Sequence, residues 1–379
     1  MSKPAARRQA ELRHAGGAAV AGMALDERAL WERLCAAPIP DHIWPRVGEY
    51  FEAYRGERAG IAGARHRRRL EMIAQLPWAT RSGGAPSVEP VRQALDARHA
   101  GLAEIKRPIL EHVAVQKRRW RLGGTPTFTP LLFVGPPGVG KTSMAIAIAE
   151  GLGRPVVTMS LAAHGDAEAI RGFDIAYMGS QPGMIARMLV QAGSRDSVFC
   201  FDEVEKAGPG RGSSRGNPVD VLLEVLDPTQ NGAFRDAFLD ISLDLSQIVF
   251  ILTANSLDLH PALLDRVQVI PLRGYHDEEK RAILRDFLVP RLLEEHALTE
   301  QDVEITEAAR DLLIQHSPEP GVRGLQRMVR TLLGAATLAL EEGAAGRVVI
   351  DPDWLRRRLG PPQRPPTIGF RPSPREIGR

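Results

Sequence analysis

Cysteines, aromatic residues and long apolar runs are all scarce in this chain of 379 residues. The two cysteines, Cys35 and Cys200, lie far apart in the sequence, which excludes a disulfide framework and a cysteine-rich zinc site. The longest apolar run near the start covers residues 18–25 and is broken by Gly22, so it is too short to cross a bilayer. We therefore expect a cytoplasmic protein that does not act at a membrane.

Positive charges exceed negative charges by only a small number. The chain has 49 Lys and Arg against 46 Asp and Glu, a net charge of +3, and this balance alone does not indicate nucleic-acid binding. Hydrophobic residues make up 44% of the chain, a proportion typical of globular proteins. The length is sufficient for two or three domains.

The order of apolar and breaker residues predicts the domain organisation. Apolar strands without alternation are separated by helices in the middle of the chain, which is typical of a parallel sheet covered on both faces. The fold class is therefore predicted as α/β. The expected divisions are a flexible N-terminus (1–25), a helical region (26–80), a linker (81–90), an α/β nucleotide-binding domain (91–273), a helical lid (274–360) and a disordered Pro/Arg tail (361–379).

A glycine-rich loop gives the strongest functional signal. It follows the apolar run 131–134 and precedes a helix-forming run, and it matches the pattern G-x-x-x-x-G-K-[ST]. In such a loop, backbone N–H groups and a helix N-terminus bind phosphates, Lys141 reaches the β- and γ-phosphates, and Thr142 offers its hydroxyl to Mg²⁺. The predicted nucleotide-binding residues are Gly135, Pro136, Pro137, Gly138, Val139, Gly140, Lys141, Thr142 and Ser143. These residues predict ATP and Mg²⁺ as cofactors.

Two acidic residues follow the apolar strand at 197–201. Open α/β sheets bind ligands at the carboxyl ends of their strands, so Asp202 and Glu203 are expected beside the glycine loop. Asp202 is the expected Mg²⁺ partner, and Glu203 is the expected base for the attacking water. Asn255 ends a later strand, where its amide is expected to sense the γ-phosphate.

These motifs, together with several others, resemble the ATPase module of the Lon family of AAA+ proteins over about 76–359. The motifs are 76–78 (LPW), 111–117 (EHVAVQK), 135–142 (GPPGVGKT), 170–172 (IRG), 222–228 (LLEVLDP), 263–266 (LLDR) and 321–324 (GVRG). The resemblance implies a P-loop AAA+ domain followed by a small helical lid.

Further roles are implied by the resemblance alone. Arg266 matches the arginine finger that reaches the γ-phosphate of a neighbouring subunit, which implies a homo-hexamer, and Arg323 matches the second sensor in the lid. The adenine would lie against His99, Gly101 and Leu102, with Ala100 standing where the family has an aromatic residue.

Tyr177 and Met178 resemble the pore loop that grips an unfolded polypeptide. An aromatic and an apolar side chain suit a grip that tolerates many sequences, because their contacts are mostly non-directional. The alternative for Tyr177 is an ordinary packed tyrosine.

The chain departs from Lon proteins at both ends. No Ser-Lys peptidase region and no large N-terminal substrate domain are visible, so we expect a protein motor without peptidase activity, which could act with a separate peptidase. A second hypothesis is an ATPase that acts on nucleic acid, suggested by the basic runs 65–69 and 117–121 and by Arg211 and Arg215. A third is an ATP-gated scaffold, which would not need the hydrolytic residues.

Overall fold

The computed structural model describes residues 23–57, 60–99, 101–163, 166–207, 216–343 and 346–360. The chain divides into two compact units. The first contains the residues up to Gly135 and Gly140–Leu272, and the second contains Pro136–Val139 and the residues from Arg273 onward. The ends predicted to be flexible, apart from residues 23–25, lie outside the described residues, as do Arg211 and Arg215.

In the part of the chain that the structure describes, the first unit begins with five helices. They are α1 (Leu25–Ala36), α2 (Trp44–Gly56), α3 (Ile61–Gln75), α4 (Val88–Arg98) and α5 (Ala103–Arg121). Apolar residues of α1 to α3, including Leu34, Phe51 and Leu70, belong to the same hydrophobic core as the sheet residues Phe199 and Phe201. The N-terminal helices are therefore an integral part of this unit.

A five-stranded parallel sheet forms the centre of the first unit. Its strands are β1 (Leu131–Val134), β2 (Val156–Ser160), β3 (Val198–Asp202), β6 (Val249–Ala254) and β7 (Gln268–Pro271), arranged in the order β2-β3-β6-β1-β7. The three middle strands, β3, β6 and β1, are almost entirely buried, which accounts for their unbroken apolar sequences. The predicted α/β class with a covered parallel sheet is confirmed.

Short elements connect the strands of this sheet. The helices are α6 (Lys141–Leu152), α7 (Ala167–Arg171), α8 (Met184–Ala192), α9 (Pro218–Leu226) and α10 (Pro261–Leu264), with 3₁₀ turns at Leu161–Ala163, Val204–Lys206 and Asn231–Ala233. A separate antiparallel hairpin pairs β4 (Phe234–Asp236) with β5 (Ile241–Leu243).

The second unit is mostly helical. Its helices are α11 (Asp277–Ile283), α12 (Val289–Glu295), α13 (Glu307–Gln315), α14 (Arg323–Glu341) and α15 (Pro352–Leu359), and a π-helical turn, Leu284–Leu288, joins α11 to α12. Two short strands, β8 (Val303–Ile305) and β9 (Val348–Ile350), pair in parallel. Thr306 and Asp351 cap α13 and α15 by accepting bonds from Ala309 and Trp354 N–H groups.

The residues predicted as a linker are tied to the first unit. Asp196 accepts hydrogen bonds from the N–H groups of Ser82 and Gly83, at 2.9 and 3.0 Å, and helix α4 already begins at Val88.

The basic run 65–69 does not form one solvated face. Arg69 is buried, and its guanidinium lies over the Tyr50 ring and donates to the Phe238 carbonyl at 2.7 Å. Arg65 donates to the Ile175 carbonyl at 3.1 Å. These two arginines therefore do not belong to an exposed basic cluster, because their side chains bind backbone carbonyls of the α/β part of the same unit.

Candidate functional site

The candidate site lies at the carboxyl edge of the parallel sheet. The glycine loop follows β1, Asp202 ends β3 and Glu203 comes directly after it, and Asn255 follows β6. Since β3, β6 and β1 are adjacent and parallel, their ends meet at one edge. The structure therefore brings together the residues that the sequence placed at three separate strand ends.

The conformation of the glycine loop requires glycine at specific positions. Gly138 and Gly140 have φ angles of 83° and 94°, which residues with a side chain rarely adopt. A Cβ atom at Gly135 would lie 2.1 Å from the Leu272 carbonyl oxygen, so only glycine fits there. Helix α6 begins at Lys141 with no side-chain cap among the described residues, and the N-terminus of such a helix favours an anion.

Lys141 is held at the start of α6 by contacts that include oxygens of Gly135 and Asn255. It is 8% exposed, and its Nζ atom donates to the Gly135 carbonyl at 2.7 Å and to Asn255 Oδ1 at 2.9 Å. Burial lowers the pKa of Lys141, while the carboxylates of Asp202, Glu205 and Glu203 oppose that shift. A phosphate would offer the ammonium group a stronger partner than either of these two oxygens.

Thr142 and Asp202 provide neighbouring oxygens for a metal. Their Oγ1 and Oδ1 atoms are 3.5 Å apart, and Asp202 also contacts the hydroxyl of Thr253. Mg²⁺ prefers such oxygens and is usually bound through one or two protein ligands together with substrate phosphates. The residues present therefore fit a nucleotide-bound Mg²⁺.

Glu203 has a strained backbone. Its φ angle is 59°, in the left-handed region, and its N–H group donates to the Thr253 hydroxyl at 3.3 Å. Its carboxylate pairs with Lys206 at 2.7 Å and remains about one-third exposed. The strained conformation turns the chain sharply at the end of β3, and strain of this kind is common at functional sites.

Glu205 and Thr253 belong to the same network but were not among the predicted site residues. Glu205 Oε1 accepts from Asn255 Nδ2 at 2.6 Å, and Thr253 bonds to both Asp202 and the Glu203 N–H group. Glu205 could not be assigned from the sequence, because its role depends on the 3₁₀ turn that follows Glu203. Thr253 could have been identified from the sequence, since it is a polar residue within an otherwise apolar strand.

Arg266 is placed differently from the residues above. Its Nη1 atom donates to the Ala262 carbonyl at 3.1 Å, and its Nη2 atom lies 3.5 Å from the Asp227 carboxylate. The buried Nε atom has no hydrogen-bond partner among the described residues. Neither Ala262 nor Asp227 belongs to the Lys141 network, so the structure does not join Arg266 to that network within one chain.

His99 lies beside the start of α6. It is 6% exposed, and burial, together with the charges of Lys106 and Arg98, lowers its pKa to about 4, although a bond to the Ser143 backbone opposes the shift. Gly101 and Leu102 have φ angles of 64° and 57° and lead into α5. Ala100 lies outside the described residues. Of the predicted adenine residues, His99 thus lies next to the helix that follows the glycine loop.

Within the second unit, Arg323 is next to the middle of the glycine loop. Arg323 begins α14, and the N–H group of Val322 donates to the Gly138 carbonyl at 3.0 Å. A Cβ at Gly138 would lie 2.9 Å from the Arg323 Cβ. Tyr275 adds a bond from its hydroxyl to the Val139 carbonyl, at 2.8 Å.

Tyr177 and Met178 stand out into solvent. They are 67% and 93% exposed, at the tip of a loop between α7 and α8. The alternative of a packed tyrosine is therefore wrong, because most of the Tyr177 surface has no protein contact.

The fold and the site at its strand ends define a P-loop ATPase. Residues 131–275 match the family "ATPase family associated with various cellular activities (AAA)". The chain is 41% identical over 304 residues to "Lon protease 2" of Sorangium cellulosum, an alignment that covers 80% of this chain and 37% of that protein. It is 42% identical over 304 residues to "Lon protease" of Chloroflexus aurantiacus, covering 78% of this chain and 36% of that protein.

A third relative extends the similarity along the chain. The chain is 38% identical over 367 residues to "Lon protease" of Frankia alni, covering 94% of this chain and 41% of that protein. The chain thus spans about two fifths of the length of these relatives. It contains a match to the AAA family at residues 131–275, and over most of its length it is similar to one part of these Lon proteases. None of the helices in the described parts of the chain is both long enough and apolar enough to cross a bilayer.

Proposed function

We propose that this chain hydrolyses ATP and uses the energy to unfold, translocate or remodel protein substrates. The observation that carries the proposal is the hydrogen bond between Lys141 and Asn255, which lies at the edge of the sheet where Asp202 and Glu203 also lie. Mg²⁺, held through Thr142 and Asp202, would neutralise phosphate charge. Lys141 would exchange its present oxygens for the β- and γ-phosphates.

Glu203 is proposed as the base that orients and polarises the attacking water. Its carboxylate is partly exposed, and it is held by a single ion pair with Lys206 that can be exchanged. Asn255 would hold the same water or the γ-phosphate, while Glu205 fixes its amide. Arg323 would reach the nucleotide from the lid, and Arg266 would act on the nucleotide of a neighbouring subunit in a homo-hexamer.

The exposed Tyr177 and Met178 support a protein substrate, because a loop tip with an aromatic and an apolar side chain can contact many unfolded sequences. The nucleic-acid hypothesis loses two of its arginines, since Arg65 and Arg69 bind carbonyls of this chain. The lack of peptidase activity, the use of a separate peptidase and the cytoplasmic location stay predictions from the sequence.

The test is steady-state ATP hydrolysis with three variants. Lys141→Ala is expected to lose ATP binding, and Glu203→Gln is expected to bind ATP but to turn over at least about 100-fold more slowly. Tyr177→Ala should keep basal hydrolysis but lose stimulation by an unfolded polypeptide such as reduced, carboxymethylated lactalbumin. Unchanged ATP binding in Lys141→Ala would contradict the nucleotide site, and stimulation retained in Tyr177→Ala would contradict the substrate loop.

A further inference from the structure

The loop that carries Tyr177 and Met178 is closed at its base by contacts between residues 172–173 and residues 181–182, which we call the neck. Gly172 and Pro182 form an isolated antiparallel bridge, and the Phe173 N–H group donates to the Gln181 carbonyl at 2.9 Å. These contacts close the loop at its base, so the position of its tip depends on the neck and on what holds the segment above it.

A buried carboxylate, that of Asp236, binds the backbone next to the neck. Asp236 has no exposed surface, and its oxygens accept bonds from the N–H groups of Gly183, at 2.9 Å, and Leu239, at 2.8 Å. A Cβ at Gly183 would lie 2.7 Å from Asp236 Oδ2, so glycine is required for this close approach. The Ala237 N–H group donates to the Arg171 carbonyl on the other side of the neck.

Between the neck and the tip, a side chain from the N-terminal helices contacts the loop. Arg65 of α3 donates from Nη1 to the Ile175 carbonyl at 3.1 Å, two residues before Tyr177. The Ile175 side chain is half-buried against the main core. From Asp174 onward the loop turns tightly, because the Asp174 side chain and carbonyl accept from the N–H groups of Ala176 and Tyr177.

Helix α3 is itself fixed next to the neck. Arg69, one turn further along α3, donates to the Phe238 carbonyl at 2.7 Å, in the turn of the hairpin that carries Asp236. Tyr50 of α2 donates to Asp240 in the same turn, at 3.0 Å. Arg65 therefore extends from a helix with fixed position and does not move independently of the neck.

We propose that Arg65 is a positioning residue for the Tyr177–Met178 tip, and that the N-terminal helices hold the substrate loop in place through it. The proposal rests on the proposed function of the tip as a polypeptide grip. Since Arg65 contacts neither Lys141 nor its partners, its loss should change the grip and leave ATP hydrolysis without polypeptide unchanged.

The test compares Arg65→Gln, Arg65→Lys and the control Arg68→Gln. Arg68 is an exposed arginine on the same helix and lines a surface cavity with Pro182 at the base of the loop, so its replacement removes the same charge but leaves the bond to the Ile175 carbonyl in place. The first readout is the concentration of reduced, carboxymethylated lactalbumin that gives half-maximal stimulation of ATP hydrolysis. Arg65→Gln should raise this concentration about two- to tenfold, Arg65→Lys should raise it less, and Arg68→Gln should leave it unchanged.

The second readout does not depend on activity. A spin label at Met178→Cys, in a Cys35→Ser background, reports the mobility of the tip. Faster label motion in Arg65→Gln but not in Arg68→Gln supports the proposal, and equal motion in both overturns it even if the polypeptide still stimulates hydrolysis. If Tyr177→Ala keeps full stimulation, the proposed grip fails, while the label still shows whether Arg65 anchors the loop.

Discussion

At the scale of single residues, Glu205 fixes the side-chain amide of Asn255. Its Oε1 atom accepts from Asn255 Nδ2, which leaves Asn255 Oδ1 facing the Lys141 ammonium group. Without this bond the amide can rotate, and the order of its donor and acceptor is no longer set. The second oxygen of Glu205 is buried and has no hydrogen-bond partner among the described residues.

We expect Glu205→Ala to lower ATP turnover about ten- to 100-fold, with a smaller change in ATP affinity, because a displaced amide mainly affects the transition state. Glu205→Gln keeps an accepting oxygen and should retain most of the activity. Single-turnover hydrolysis and nucleotide titration distinguish the two effects. Equal rates for Glu205→Ala and the wild-type chain would remove Glu205 from the site.

His99 makes stability depend on pH. Burial lowers its pKa from 6.5 to about 4, so the folded chain keeps this imidazole neutral while the unfolded chain takes up a proton below about pH 6.5. The contribution of His99 to stability is therefore full above that pH and falls as the pH is lowered toward 4. The wild-type chain should lose more stability between about pH 7 and pH 5 than His99→Gln does.

Urea unfolding at the two pH values measures this difference. The control is His42→Gln, which removes an exposed histidine and should keep the pH dependence of the wild type. If His99→Gln lost as much stability on acidification as the wild type, burial of a neutral His99 would be refuted.

At the scale of elements, the end of β7 closes against the start of the glycine loop. The Leu272 N–H group donates to the Val134 carbonyl at 2.7 Å, and the Leu272 carbonyl occupies the space where a Cβ of residue 135 would lie. Gly135→Ala must therefore push β7 away from β1 and should lower the free energy of unfolding by about 1–3 kcal/mol.

Gly48→Ala is the matched control for this substitution. Gly48 lies inside α2 with no atom within 4 Å of its Cβ position, so alanine should raise the free energy of unfolding by about 0.5–1 kcal/mol. Denaturant midpoints of the two variants should move in opposite directions. A midpoint for Gly135→Ala that is unchanged or higher than that of the wild type would show that the close approach at Gly135 has no energetic consequence.

The long elements were predictable from sequence and most of the short ones were not. Helix α9 has clear signals, since Asn217 caps it and Pro218 starts it. Strands β4, β5 and β8 have three residues each, too few to show a pattern, and β4 contains the charged Arg235 and Asp236. The apolar spacing of residues 277–295 favours one helix and gives no sign of the π-helical turn that the structure has there.

The residues of the site also divide into those that the sequence identifies and those that it does not. Lys141, Asp202 and Asn255 could be found because motif spacing and strand ends identify them. The partners Glu205 and Arg65 could not, because each depends on a tertiary contact, with Asn255 and with Ile175, that local sequence does not specify.

At the scale of the whole molecule, the proposed hexamer predicts that Arg266 acts in trans. Arg266→Ala should bind ATP yet hydrolyse it about 10³-fold more slowly. Subunits carrying Lys141→Ala cannot bind ATP but supply an intact Arg266, so mixing the two inactive variants should restore part of the activity. A mixture that stays inactive although sedimentation shows mixed assemblies would contradict a finger acting in trans.

The left-handed backbone at Glu203 also limits how far the heat resistance of this protein can be raised without loss of ATP hydrolysis. A glycine there would relieve the strain, so a screen that rewards heat resistance alone would favour Glu203→Gly. A screen that rewards turnover would reject the same change, because the proposed base would be lost. Heat-resistant variants of this chain should therefore be selected with hydrolysis as a second criterion, since a strained backbone conformation coincides with the proposed chemistry.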